Sequence, residues 1–353
     1  VDAPREPDLC ALSETELTHA PAPQPAAPSA VQTGPAAASA AAGVEAKPAS
    51  NKPAHAGLGV LAAAKKGGKG KKKSEKPDRL TAATADRHRL YEAAVQCVEA
   101  EIDFIDQTFR TIRGRDALLL REDFCGTGNT SCEWVKRRAT NRAVGLDIDE
   151  PTLQWGRDNN IAALPEDRRG DVTLINRDVL TPGDATGADC ILAMNFSYWL
   201  FQKRSEMIAY FKTVLESLGD EGVFFLDHYG GSESMAETTD VRKCRDHLGR
   251  KFSYEWVQHS FNPITGEMHC RIHFTFTDGT RIDDAFTYTW RLWTLPEIQE
   301  MLSEAGFKNV TVHWEGDELD DDGEPTGEGN GEFTPSTKGT ADPAFISYIT
   351  AER

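Results

Sequence analysis

From Asp86 onward apolar residues return at helical spacing, with Leu90, Ala94, Val95, Val98, Ile102, Ile105 and Phe109 on one face. The spacing predicts one helix, which Gly114 ends. The pattern then changes to short apolar runs separated by amphipathic stretches. Strands are expected over 116–123, 142–149, 171–180, 188–197 and 223–231, with helices over 130–139, 150–164 and 205–222. The fourth run, "ADCILAMNFS", is almost wholly apolar, as a strand covered on both faces must be. Strict alternation of such strands with helices implies a doubly wound α/β architecture, a mostly parallel, Rossmann-like sheet with helices on both faces.

Beyond 250 the periodicity falls to two. Residues 251–291 read as an inserted antiparallel element whose strands are joined at "NPITGE" and "TDGTRI". "TLPEIQEMLSEAGF" follows as a helix, with Thr294 as its N-cap and Gly306 at its end. "KNVTVHWEG" and "AFISYITAER" complete a seven-stranded sheet. The acidic, Gly/Pro-rich stretch at about 315–343 reads as a flexible surface loop.

Composition divides the 353 residues in two. Residues 1–79 are rich in Ala and Pro and close on "KKGGKGKKKSEKPDR"; they offer too little apolar surface to offset chain entropy and are expected to be a disordered tail. Residues 80–353 form the folded domain. The net charge of -17 conceals a basic run at Lys65 to Lys76, which reads as a solvated linker, with a nuclear address or a contact for an acidic partner as the alternatives. Because the folded part carries the acidic excess, nucleic acid is not expected as a partner. The first 30 residues show no secretory signal, and no run of about 18 apolar residues is present to span a membrane. The seven cysteines are scattered, without zinc spacing. A soluble, cytoplasmic protein without structural disulfides is the expectation, and Cys125 and Cys132 read as packing residues because nothing nearby supplies a base.

The candidate chemistry lies in "LLREDFCGTGNTS", where an apolar strand runs into a glycine loop. Gly126 and Gly128 let backbone approach a ligand closely. No Gly-Lys-Ser/Thr closes the loop, which excludes a P-loop, and "GTGNTS" offers only part of the dinucleotide fingerprint. Glu122 precedes the loop. Asp147 follows Gly126 by 21 residues, at the spacing where a carboxylate accepts from a ribose diol. Asp178 is expected to end the third strand. Carboxylates with no basic residue in the loop suit an adenosine ligand that lacks phosphates and has a cationic amino-acid end.

On these residues the chain resembles the class I methyltransferases that use S-adenosyl-L-methionine (SAM), from about Tyr91 to Arg353. "EDFCGTG" is similar to the family's acidic residue followed by Gly-x-Gly-x-Gly, with Phe124 at the place of the first glycine. The resemblance implies a cofactor site of Glu122, Phe124, Cys125, Gly126 and Gly128, with Asp147 on the ribose hydroxyls and Ile148 on adenine. It also implies Asp178 and Val179 at the adenine edge, and Asn195 on the passage from cofactor to acceptor. The activity it implies is methyl transfer by in-line displacement to a small-molecule or peptide-like acceptor. The alternatives are a SAM-binding scaffold without activity and an NAD-type Rossmann oxidoreductase.

Catalytic candidates are Tyr198 after the fourth strand and His228 and Tyr229 after the fifth, His228 being able to accept a proton near neutral pH. No metal is expected. The aromatic insertion, from Tyr254 to Trp290, reads as a lid whose aromatics form one buried sheet face. It also offers a homodimer contact, and Arg271, Arg281 and Arg291 are anchors for an anionic acceptor.

Overall fold

The computed structural model describes residues 79–320 and 323–353. The expected tail and its Lys run, up to residue 78, lie outside the described residues. Two helices, α1 (Arg87–Val95) and α2 (Val98–Arg113), replace the single helix expected there. The chain breaks at Gln96 and Cys97 because the two halves of the apolar stripe serve different cores. Leu90, Tyr91 and Val95 join the cluster that includes the aromatics of the insertion, whereas Ile102, Ile105 and Phe109 pack with Leu120, Leu192 and Phe225. Asp86 caps α1 by accepting from the His88 backbone N–H at 2.9 Å, and Gly114 closes α2 in the left-handed conformation.

The alternation that follows is β1 (Leu119–Asp123), α3 (Asn129–Arg137), β2 (Arg142–Asp147), α4 (Glu150–Gly156) and β3 (Val172–Asn176), then β4 (Ala188–Ala193), α5 (Arg204–Ser217) and β5 (Leu218–Gly230). These five strands pair in parallel in the order β3-β2-β1-β4-β5. α5 stops at Ser217, five residues before the expected end, because Leu218 already pairs with Ala188 of β4. After an excursion into a second sheet, α6 (Leu295–Ala305) begins on a capping box between Thr294 and Glu297. It leads to β10 (Lys308–Leu319), β11 (Pro325–Pro335) and β12 (Phe345–Glu352). β12 lies antiparallel between β5 and β10, and β11 closes the edge.

The main sheet therefore has eight strands, not seven, and the acidic segment expected as a loop contains β11. "PTGEGNGEFTP" has no apolar alternation because an edge strand bonded along one side needs no buried face. The second sheet is also larger than the 251–291 insertion expected. It has four strands in the order β6-β7-β8-β9, namely β6 (Thr238–Arg245), β7 (Lys251–Phe261), β8 (Glu267–Phe276) and β9 (Arg281–Arg291). β6 has no fully buried residue, which is why "TTDVRKCR" gave no strand signal. The inner face of this sheet, with Tyr254, Trp256, Phe274, Phe286, Tyr288 and Trp290, is buried in the same cluster as Tyr198, Trp199 and Tyr229. No helix among the described residues is long and apolar enough to cross a membrane.

Candidate cofactor and acceptor site

Strand order reverses between β1 and β4, and in open parallel sheets ligands bind beyond the strand ends at that point. The loop after β1 is held there by its neighbours. Phe124, Gly126 and Gly128 all have positive φ, at 57°, 53° and 65°. Phe124 thus adopts a left-handed backbone conformation that glycine takes freely, at a cost of about 1 kcal/mol. Its ring packs at 6.2 Å from Phe201 and 5.7 Å from Tyr210, which offsets that cost. A side chain at Gly128 would meet Leu174 at 2.7 Å.

Asp147, at the end of β2 and 8% exposed, fixes the loop: its Oδ2 accepts from the Gly126 N–H at 2.8 Å and its Oδ1 from the Asp149 N–H at 2.9 Å. Burial raises its pKa, against the pull of these bonds. Beside it Ile148 is 47% exposed, an apolar surface at the cleft. Glu122 turns the other way. Its Oε2 accepts from the backbone N–H and the hydroxyl of Ser131, in the first turn of α3, at 2.9 and 2.6 Å. Burial pushes its pKa up to about 7. A pyrophosphate needs those helix-terminal donors, and here a carboxylate already holds one of them. The loop therefore fits a nucleoside ligand without phosphates better than a dinucleotide.

Cys125 borders the loop through its backbone only, since its thiol is buried against Gly145 and raised in pKa by burial. The Cys132 thiol is likewise buried and pushed up to about 12. Asp178 lies two residues past the end of β3, not in it. It is exposed and its Oδ1 accepts from the Leu180 N–H at 2.8 Å, while Val179 next to it is buried.

Three residues outside the expected set hold the site's turns, two at the glycine loop and one after β4. Glu92 of α1 accepts from the Thr127 hydroxyl at 2.8 Å and from Asn160 Nδ2 at 2.6 Å. Asn160 sits in a π-helical turn, Arg157–Ile161, that continues α4 and points its amide at the loop, where it also donates to the Thr127 carbonyl at 3.2 Å. Asp227 in β5 accepts from the backbone N–H groups of Asn195 and Phe196 at 2.7 and 2.9 Å. It thereby holds two consecutive left-handed residues, with φ of 57° and 55°, just past β4. Its burial raises its pKa to about 7. An acid within the apolar run "VFFLDHYGG" was the available signal for Asp227.

The three catalytic candidates converge but are not alike. Tyr198 is buried and its hydroxyl donates to the Asp227 carbonyl at 2.7 Å, which commits it to structure. His228 Nε2 lies 2.8 Å from the Trp293 carbonyl. A carbonyl can only accept, so Nε2 carries the proton and Nδ1 keeps a free lone pair. Burial lowers its pKa to about 4, leaving it neutral at physiological pH. The Tyr229 hydroxyl is buried without a partner. These residues pack with Phe196, Trp199, Trp256 and Trp290 in one buried aromatic cluster: Trp199 lies 5.9 Å from His228 and 6.1 Å from Trp290, and Phe196 lies 6.1 Å from Tyr229. Trp256 Nε1, His228 Nδ1 and the Tyr229 hydroxyl lack partners there. The arginines expected to face an anion are engaged elsewhere: Arg281 with Glu255 at 2.6 Å, Arg271 with Asp284 at 3.5 Å, and Arg291 with Glu297 at 3.5 Å.

No family model and no curated protein matches this chain. Solved structures share its fold, and it is that of the SAM-dependent methyltransferases. SAM-bound CalS10 from Micromonospora echinaspora is an amino pentose methyltransferase involved in calicheamicin biosynthesis. It superposes with a TM-score of 0.54 at 16% identity, over 75% of this chain and 95% of that one. The sugar N-methyltransferase KedS8 from Streptoalloteichus sp ATCC 53650 gives 0.52 at 15% identity, over 82% of this chain and 99% of that one. A SAM-dependent methyltransferase from Clostridium acetobutylicum ATCC 824 gives 0.51 at 15%, over 73% and 92%.

Proposed function

We propose that this protein is a SAM-dependent methyltransferase acting on a small-molecule amine. The observation that carries the reading is the state of the glycine loop: Glu122 occupies a donor that a phosphate would need, and Asp147 pins Gly126 beside the exposed Ile148. The residues fit the cofactor. Asp147 retains lone pairs for ribose hydroxyls, Ile148 offers a face for adenine, Asp178 is exposed for the adenine amine, and no basic residue stands in the loop. When bound, SAM supplies a methyl group already activated on a sulfonium.

The chain's own work is alignment and exclusion of water. The buried aromatic cluster shields the site from water and offers an acceptor the Trp256 N–H. A neutral amine needs no base to attack, and the cluster holds no strong one, since His228 is a neutral imidazole. The positive charge that grows on the attacking nitrogen is favoured by the faces of Trp199, Trp290 and Tyr229. The product ammonium sheds its proton to water after release, since His228, with its pKa lowered to about 4 by burial, is too weak a base to take it. CalS10 and KedS8 are named for amino-sugar and sugar-nitrogen acceptors, which agrees with an amine.

Incubation with methyl-tritiated SAM and matched panels of small amines and alcohols tests this. Label is expected in amine products. Label in alcohols alone would overturn the amine acceptor. SAM binding with no transfer to either panel would point to the non-catalytic scaffold.

A further inference from the structure

β6 is an edge strand, yet the side it turns to the core is polar. Thr238, Asp240 and Arg242 stand opposite Gln258, Trp256 and Tyr254 of β7, and cross-strand partners share a face. The rest of that inner face carries Phe252, Met268, Ile272, Phe274, Phe286 and Trp290, which leaves Arg242 as its one cation among the described residues. A guanidinium is costly to bring against apolar surface unless its donors are met. Those of Arg242 are met loosely. The group lies over the Tyr254 ring at 4.6 Å, interacts with the Tyr254 hydroxyl, and has its Nε 3.4 Å from Asp240 Oδ2. Arg281 on the outer face shows the alternative, since Glu255 takes both arms of its fork at 2.6 and 2.9 Å. With its side chain 30% exposed, Arg242 remains open to a ligand.

Two further groups on the same strip lack partners: Trp256 Nε1, a donor, and Gln258 Oε1, an acceptor, in residues that are 1% and 3% exposed. Gln258 ties the strip to the site, because its Nε2 donates to the Glu233 and Ala236 carbonyls just past β5, at 3.2 and 2.7 Å. Trp256 ties in its middle, lying 6.0 Å from Trp290, which in turn lies 6.1 Å from Trp199. From the Trp256–Asp240 pair to the Tyr254–Arg242 pair is a step of two residues, roughly 7 Å along the strand. The strip thus offers in order an amide acceptor, an indole donor and a cation. We propose that Arg242 receives a carboxylate of the acceptor, so that the amine methylated belongs to an amino acid or short peptide whose anionic end lies on β6. The planar fork suits two carboxylate oxygens, and Gln258 and Trp256 suit the amide groups between the two ends of such a molecule. The inference rests on the amine-methylating reading above and adds a second point of recognition to it.

Matched acceptors isolate this contact. Triglycine and alanylglycine share their amine with their C-terminal amides and differ from them in the carboxylate. With methyl-tritiated SAM, the unaltered protein is expected to favour the free acids over the amides by about tenfold or more in kcat/KM. Arg242→Gln is expected to remove that preference, lowering kcat/KM for the acids about tenfold through KM while the amides change less than about twofold. Equal rates for acids and amides in the unaltered protein, or equal losses for both in the variant, would overturn the proposal. Transfer only to amines that carry no carboxylate would overturn it as well. Arg242→Lys keeps the charge and loses the fork; a smaller loss confined to the acids is expected, and by the same criteria it decides the matter if Arg242→Gln does not fold. Failure of the unaltered protein to bind SAM, or transfer to alcohols alone, would instead refute the reading on which the inference rests.

Discussion

On the glycine-loop side of the cleft, Asp147, Glu122, Glu92 and Asn160 spend their polar atoms on backbone and side-chain donors and acceptors of the protein itself. In the aromatic cluster, Tyr229, Trp256 and His228 each keep a buried polar atom without a hydrogen-bond partner. The contrast separates two ways of preparing a site. The loop is pre-organised: its left-handed residues are held in shape before any ligand arrives, which lowers the cost of binding. The aromatic cluster holds unsatisfied groups, each of which costs about 1–3 kcal/mol while it stays unpaired.

The comparison can be broken by exchanging the expected effects of substitutions on the two sides. The largest effect is expected from Asp147→Ala, which orphans the Gly126 and Asp149 N–H groups and removes the ribose acceptor. It should cost about 1–3 kcal/mol of stability and weaken SAM by about tenfold or more, read by thermal melting and calorimetry together. Unchanged affinity would remove Asp147 from the site. A smaller effect on the fold is expected from Trp199→Phe. Because Trp199 is fully buried, the smaller ring leaves a cavity, so the melting temperature should fall by several degrees while kcat/KM for an amine acceptor falls severalfold. A large drop in stability with unchanged turnover would show that Trp199 is only packing.

The same contrast explains what the sequence could disclose. Apolar strands β1 to β5 read directly because a sheet covered on both faces leaves no polar alternation to confuse the pattern. Asp147 and the two glycines read from spacing, since the turn after the first strand and the acid after the second are fixed by topology. β6 and β11 did not read, because the covered face of each edge strand is mostly polar: β6 alternates half-buried and exposed positions but places Thr238, Asp240 and Arg242 on its inner side, and β11 brings only Phe333 against the core. The break between α1 and α2 was hidden as well, since a continuous stripe does not tell which core each half will meet. Phe124 showed only as a departure from pattern. Its positive φ, the feature that reconciles it with a glycine position, belongs to the backbone and is invisible in the letters. Asp227 was visible as an acid inside an apolar run, but what makes it notable, the pair of left-handed residues it holds, only the packing reveals.

The central claim is that the glycine loop is built for a cationic adenosine ligand and not for a pyrophosphate. Parallel calorimetric titrations of the unaltered protein with SAM and with NAD test it most directly. Saturable binding of SAM with at least about a hundredfold preference over NAD is the result predicted, a difference of roughly 2.7 kcal/mol. Binding of NAD without binding of SAM would contradict it.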